Sequence, residues 1–170
     1  AQLSGKQNYP LQFEINRSFN NFLPSAMIMY RGTDGRSLRV NYRTSTNAPS
    51  ISQLQNVIDN SNPLFLKTGN PNLKQEYNHS MFFRYGVTNA KTARSFFINL
   101  NGSFTQNNIS NTTFIATKDT TIAGFPLRIG SQFSQPVNVN GNWNIRSFLT
   151  YGLPVMAIKS NLNFNIGTGY

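Results

Sequence analysis

The sequence contains no cysteine, and it has only five acidic residues against fifteen basic residues in a chain of 170. The lack of cysteine excludes disulfide frameworks, thiol catalysis and cysteine-based zinc sites, and it leaves the cellular compartment open. No apolar run approaches the roughly 18 residues of a membrane-spanning helix, and the first ten residues lack the charged and apolar segments of a signal peptide. A membrane-spanning β-strand needs only about 9–11 residues, so one is still possible.

Side chains suited to catalysis are also few. The only histidine is His79, and a lone histidine is more often a structural residue than a catalytic one. The five acidic residues are scattered along the chain, at Glu14, Asp34, Asp59, Glu76 and Asp119. We therefore predict that the chain is not an enzyme and has no catalytic, metal-binding or cofactor-binding residues.

The net charge of +10 comes from basic residues that are spread along the chain rather than clustered. This spread argues against nucleic acid as a partner and favours anionic lipid headgroups or an anionic ligand. Charged residues make up only 12% of the sequence, about half the usual share for a soluble domain. Asparagine, serine, threonine, glutamine and glycine take their place, which is typical of side chains that face a confined, watery interior.

Two alternating apolar runs predict neighbouring strands, one with Leu38, Val40 and Tyr42 and the other from Met81 to Val87. The polar loop between them contains a capping-box pattern, with Ser50 followed three residues later by Gln53. It predicts one or two helical turns; an irregular loop is the alternative. In a helix, three apolar residues would share one face: Ile51, Leu54 and Ile58.

Similar alternation predicts further strands in the ranges 11–16, 22–31, 94–105, 137–149 and 162–170. The range 137–149 has the clearest pattern, and the polar stretch 106–136 has room for a short hairpin outside the main sheet. Thr33-Asp-Gly predicts a tight turn in which Gly35 has a positive φ.

Short connections near 32–35, 88–93 and 153–159 alternate with long ones near 45–74 and 106–136. This rhythm indicates an all-β, antiparallel up-and-down meander that forms part of an outer-membrane β-barrel, as a single domain over 1–170. We expect one set of side chains (Leu100, Ile145, Phe164) to face lipid and another (Asn99, Asn144, Asn163) to face the lumen. Aromatic residues near the strand ends would form interfacial girdles: Tyr30, Tyr42, Tyr85, Trp143 and Tyr151. A soluble sandwich would also alternate, but its wet face would carry more charge.

Several motifs resemble the late barrel strands of TonB-dependent outer-membrane transporters, and of the related outer-membrane β-barrel family. They are Tyr42-Arg-Thr, Pro49-Ser-Ile-Ser-Gln-Leu, Asn62-Pro and Gly69-Asn-Pro-Asn-Leu-Lys-Gln-Glu. The last motif departs from the family pattern at Gln75, where proline is usual, so entry into the next strand is less constrained. The resemblance covers about residues 20–170.

The resemblance implies a barrel of about 22 strands with an N-terminal plug and a segment that contacts TonB. The sequence shows six or seven membrane-length strands, so we expect a portion of such a barrel without its plug; a complete eight-stranded barrel is the alternative. The expected role is uptake of an unknown small ligand across a Gram-negative outer membrane, with lipid, the rest of the barrel and plug, and TonB as partners. The alternative is a small non-enzymatic outer-membrane or secreted β-protein for binding or adhesion. Four residues are candidates for ligand contact or loop anchoring: Asn70, Asn72, Lys74 and Glu76. For all four we favour anchoring.

Overall fold

The computed structural model describes residues 2–7, 13–122 and 124–170, and its description of side chains begins at Ser18. It is mostly β-structure with almost no helix, which confirms the all-β prediction. In chain order the elements are β1 (Gln2–Gln7), β2 (Phe13–Ser18), β3 (Ser25–Arg31), β4 (Arg36–Asn47), α1 (Ile51–Leu54), β5 (Phe65–Lys67), β6 (Glu76–Asn89), β7 (Arg94–Gln106), β8 (Asn108–Ile115), β9 (Thr120–Ile122), β10 (Phe125–Leu127), β11 (Gln132–Val139), β12 (Asn142–Val155) and β13 (Ser160–Gly169), with a short 3-10 turn at Met156–Ile158.

The chain forms two compact units. The sheet unit consists of Phe22–Ser45, Asn78–Thr105 and Gly141–Tyr170. The loop unit consists of Ala1–Asn21, Thr46–Tyr77 and Gln106–Asn140.

The sheet unit is built on six strands in the order β13-β12-β7-β6-β4-β3, which follows the chain. β3 pairs antiparallel with β4, and β12 pairs antiparallel with both β7 and β13. The β3–β4 turn contains Gly35, whose φ of 81° is positive as predicted, and a Cβ there would collide with the backbone oxygen of Thr88 near the end of β6. The predicted meander is therefore correct for these strands.

Alternation along the strands separates the side chains onto two faces of this sheet. The strand pairings place Trp143 opposite Phe104, Leu149 opposite Ile98 and Tyr151 opposite both Phe96 and Phe164, all on one apolar face. Asn144 lies opposite Ser103 and Asn163 opposite Gly152, on the polar face. The two sets of residues assigned to lipid and to the lumen thus lie on opposite faces, as the period of two requires.

Two phenylalanines on the polar face lie against glycines of the neighbouring strand. A Cβ on Gly86 would come within 2.6 Å of the Phe97 ring, and a Cβ on Gly167 within 2.8 Å of the Phe148 ring. Each ring therefore occupies the space that a side chain on the adjacent strand would need.

The loop unit has small apolar cores and sheets of its own. β11 pairs antiparallel with β8 and parallel with β5, β9 pairs with β10, and β1 pairs with β2. Leu54 and Leu73 are fully buried against Ile109, and a second buried cluster contains Leu66 and Leu127. The connections predicted as polar loops are therefore folded, and the hairpin expected within 106–136 is present as β9–β10.

Two sequence predictions were wrong in detail. The range 137–149 is not one strand: it breaks at Gly141, whose φ is 88°, and its halves are β11 of the loop unit and β12 of the sheet unit. Alternation continues across the break, so the pattern alone could not reveal it. The capping box of Ser50 and Gln53 is present, but α1 ends at Leu54, so Ile58 does not share its face and packs against the second cluster instead.

The range predicted as a first strand, 11–16, lies partly outside the described residues. Residues 11 and 12 are not described, and β2 begins at Phe13.

Candidate functional site

The segment from Gly69 to Glu76 carries all four predicted site residues, and the loop unit holds it through its backbone. The Gly69 amide donates to the Gln55 carbonyl oxygen at 3.0 Å, and the Asn70 amide donates to the Gln53 carbonyl oxygen at 2.6 Å. A Cβ on Gly69 would collide with these carbonyl oxygens. Only glycine allows this close approach between two backbone segments.

Asn70 holds the turn with its side chain. Its Oδ1 accepts from the Asn72 amide at 2.9 Å, which forms a local Asx turn, and its Nδ2 donates to the Pro136 carbonyl oxygen at 3.0 Å. Both polar atoms of the Asn70 amide group are therefore bound to protein.

Lys74 is fixed through its backbone rather than its ammonium group. Its amide donates to Asn138 Oδ1 at 2.7 Å, and its carbonyl oxygen accepts from Asn138 Nδ2 at 3.0 Å. The same Nδ2 donates to the Asn107 carbonyl oxygen at 2.7 Å. Asn138 thus joins the segment to the backbone between β7 and β8, while the Lys74 side chain is exposed.

Glu76 joins two other parts of the loop unit at the start of β6. Its Oε1 accepts from the Ile109 amide at 2.7 Å, and its Oε2 accepts from Asn47 Nδ2 at 3.0 Å. Hydrogen bonds to an ionised carboxylate are among the stronger ones in proteins. Next to it, Gln75 Oε1 accepts from Asn21 Nδ2 at 2.6 Å, so glutamine is also a hydrogen-bonding residue at this position.

The four predicted residues therefore lie together in one short segment, but their side chains differ in what they contact. Asn70 and Glu76 use their side chains for internal hydrogen bonds, whereas the side chains of Asn72 and Lys74 are exposed. Contact of any of the four with a ligand stays a prediction. Asn138, which holds the backbone of Lys74, was not predicted as a site residue, because it belongs to β11 and nothing in an asparagine-rich strand marks one asparagine over the next.

The polar face of the sheet unit holds a second candidate site. A depression of about 350 Å³ is lined by Arg43, Phe82 and a set of small polar side chains, which includes Asn41, Asn101, Ser103 and Asn144. Its floor spans four strands, β4, β6, β7 and β12. Of these residues, only Asn144 was assigned to the lumen from the sequence.

Comparison with known families shows which class of protein the chain belongs to. The model of the outer membrane protein β-barrel family matches residues 2–170. The chain belongs to this family. None of the curated proteins compared with the chain matches it.

Membership in the outer-membrane β-barrel family agrees with the all-β fold and places the protein in the outer membrane. Membrane lipid is accordingly one of its partners. Within the described residues no helix is long and apolar enough to cross a membrane.

The single histidine of this barrel protein lies on the apolar face. His79 Nδ1 is 2.8 Å from the Tyr42 hydroxyl oxygen, and the His79 ring centroid is 5.9 Å from that of Phe104. The part of the chain that the structure describes contains no group of three histidine or acidic residues that could hold a metal ion. His79 is thus part of an aromatic cluster on this face.

The loop unit of the barrel protein also contains a polar cavity of about 380 Å³, lined by Gln53, Phe65, Lys67, Asn111 and Ser134 among others. Beside it, Asp59 forms a β-bridge with Lys67. Hydrogen bonds from Ser61 hold the pKa of the Asp59 carboxyl below its usual value, and the charge of Lys67 acts in the same direction.

Proposed function

We propose that this chain is a membrane-spanning barrel segment of a TonB-dependent transporter, which takes up a ligand across the outer membrane without enzymatic chemistry. The observation that carries the proposal is the pairing of a six-stranded meander with the clamped segment Gly69–Glu76. This is the segment in which the sequence most resembles such transporters, and its glycine, asparagine and glutamate each have a specific contact.

The orientation of the sheet follows from its two faces. A strand in an outer-membrane barrel directs apolar side chains to lipid and polar ones to the lumen. The apolar face would therefore contact lipid, and the face with Arg43 and the asparagines would line the lumen. On β12, Trp143 and Tyr151 are eight residues apart, or about 26 Å along the strand, which at a tilt of about 40° is a height of about 20 Å and fits within an apolar band of about 25 Å.

The two edge strands of this sheet, β3 and β13, need pairing partners, and the rest of a barrel would supply them. Sheet edges cannot face hydrocarbon with unpaired backbone groups, because each unpaired group costs several kcal/mol there. In a transporter these edges would pair with further barrel strands, and a plug would fill the lumen.

The test of this proposal is binding of TonB by the full-length protein. The full-length protein in detergent should bind the periplasmic domain of TonB saturably, and a deletion of its N-terminal TonB-contacting segment should abolish this binding. A full-length reading frame that lacks a plug, or a protein that shows no TonB binding, would contradict the transporter role.

A second candidate is an outer-membrane protein that binds or adheres without transport. The polar cavity of the loop unit favours it, since hydroxyl, amide and ammonium groups around Phe65 suit a polar ligand. Ligand capture by intact cells that continues after TonB is deleted, with no uptake, would support this candidate over the first.

A further inference from the structure

The polar face of the sheet unit carries five arginines: Arg31, Arg39, Arg43, Arg84 and Arg146. The pairing registers place Arg43 opposite Ser25, Arg39 opposite Met29 and Arg31 opposite Ser37. Arg146 lies opposite Asn101. All five arginines are exposed.

No acidic side chain accompanies these arginines on their face. The only acidic residue of the sheet unit, all of which the structure describes, is Asp34. It lies in the β3–β4 turn and pairs with Arg36 at 3.1 Å. The positive charge of the polar face is therefore not neutralised within this unit.

The arginines occupy successive levels along the strands. Arg43 belongs to the level of Ser103 and Asn144, and Arg146 to the next level, with Asn101 and Asn41. The contact of Gly86 with Ser37 and Phe97 fixes the register of β6 against its two neighbours. That register puts Arg39 and Arg84 on the third level, and Arg31 on the fourth.

Neighbouring levels are two residues apart, or about 7 Å along a strand. Successive arginines also lie on different strands, and Arg43 on β4 and Arg146 on β12 are three strands apart, or about 14 Å across the sheet. The steps between backbone positions are therefore roughly 8–16 Å, of which the long arginine side chains span a part. Asparagine and serine side chains between the arginines can donate further hydrogen bonds to anionic oxygens. Like charges held close together, as in Arg39 and Arg84, cost stability unless a counter-charge approaches.

We propose that this arginine ladder is a binding track for small anionic solutes that carry carboxylate or phosphate groups. Its outermost binding site is the depression beside Arg43. The inference rests on the proposed barrel role, because it takes the polar face as the lumen wall. Confinement between low-dielectric walls strengthens the field of such a row of charges and concentrates counter-ions.

The experiment measures binding of tripolyphosphate to the full-length protein in detergent, by calorimetric titration at low ionic strength. The variant combines Arg43→Gln with Arg146→Gln. The matched control is Arg94→Gln, which removes the same type of charge at the start of β7, outside the ladder. The neutral trisaccharide raffinose serves as the uncharged probe of similar size.

We expect the double variant to lose about tenfold or more in affinity for tripolyphosphate, with less than about a twofold change for Arg94→Gln. Affinity of the unmodified protein should fall steeply with added salt. Arg43→Lys with Arg146→Lys keeps the charge and should retain most of the binding, which guards against a folding defect in the glutamine variant.

Equal affinity of the double variant and the control would overturn the proposal, and so would equal binding of raffinose. An absence of tripolyphosphate binding to the unmodified protein would also overturn it. If the double variant then has a lower melting temperature, the arginines pair with another part of the protein. The transporter role is judged separately by TonB binding. If tripolyphosphate binds to the ladder and TonB does not bind, the transporter role fails while the anion track stands.

Discussion

Replacing a side chain of the apolar face by arginine tests the assignment of the two faces directly. Leu100 is the seventh residue of the thirteen in β7, so it lies at the middle of that strand. Asn99 precedes it and lies at almost the same depth on the opposite face, where it pairs with Phe148. The substitutions Leu100→Arg and Asn99→Arg therefore differ only in the face that receives the charge.

The structure also provides a second pair at a different depth. Ile145 is the fourth residue of the fourteen in β12, and its partner on β7 is Gly102. With a rise of about 3.3 Å per residue and a tilt of about 40°, a shift of two residues along β7 changes depth by about 5 Å. If Leu100 lies at the midplane, Ile145 therefore lies about 5 Å or more from it.

Arginine on the lipid face costs about 2–4 kcal/mol at the midplane and about 0–1 kcal/mol near the interface. We expect the cost of Leu100→Arg to be at the upper end of the midplane range. The cost of Ile145→Arg should lie between the midplane and interface values. Asn99→Arg and Asn144→Arg should each cost less than about 1 kcal/mol, because their side chains reach water. For Asn99→Arg this includes the repulsion from Arg84 on the neighbouring strand.

The assay is unfolding of the full-length protein in guanidinium chloride from phospholipid vesicles, with heat-modifiable gel migration as a second measure of the folded fraction. Equal costs for Leu100→Arg and Asn99→Arg, or for Ile145→Arg and Asn144→Arg, would refute the assignment of the faces. A larger cost at Ile145 than at Leu100 would refute the depth assignment while leaving the faces in place.

Three further predictions concern the loops and the isolated chain. Glu76→Ala should destabilise the loop unit locally by about 1.5–3 kcal/mol, seen as faster hydrogen exchange at the Ile109 amide, whereas Lys74→Ala should leave that amide unchanged. A cysteine at Ser61 should react with a membrane-impermeant thiol reagent on intact cells, and one at Asp34 only after the outer membrane is permeabilised; the reverse pattern would invert the topology. The isolated chain should need detergent or self-association to stay in solution, because its apolar face and edge strands are uncovered, and a cooperative monomer in plain buffer would contradict this.

Alternation predicted the membrane-length strands well because a period of two is enforced wherever one face is apolar and the other polar. It failed at Gly141 because the residues before and after this glycine keep the same alternation while the chain leaves one sheet and enters another. Motifs whose contacts lie within a few residues of one another were predicted correctly. Gly35 and the capping box of Ser50 are examples.

The candidate site was found only in part for a related reason. The motif around Asn70 and Glu76 is contiguous, so the sequence displays it. Its partners Asn47, Ile109 and Asn138 are distant along the chain, and only the fold of the loop unit brings them close. The arginine ladder was hidden in the same way, because its members lie on four strands and read in sequence as scattered basic residues.

The two glycine–phenylalanine contacts on the polar face have a consequence for how this chain can diverge. Gly86 and Phe97, like Gly167 and Phe148, share one volume between them. A larger residue at either glycine requires a smaller one at its ring partner, so homologous sequences should exchange these positions in pairs. The Gly86–Phe97 pair also marks a single alignment of β6 and β7, since sliding one strand by two residues would set the Phe97 ring against Arg84 or Thr88 instead of a bare backbone.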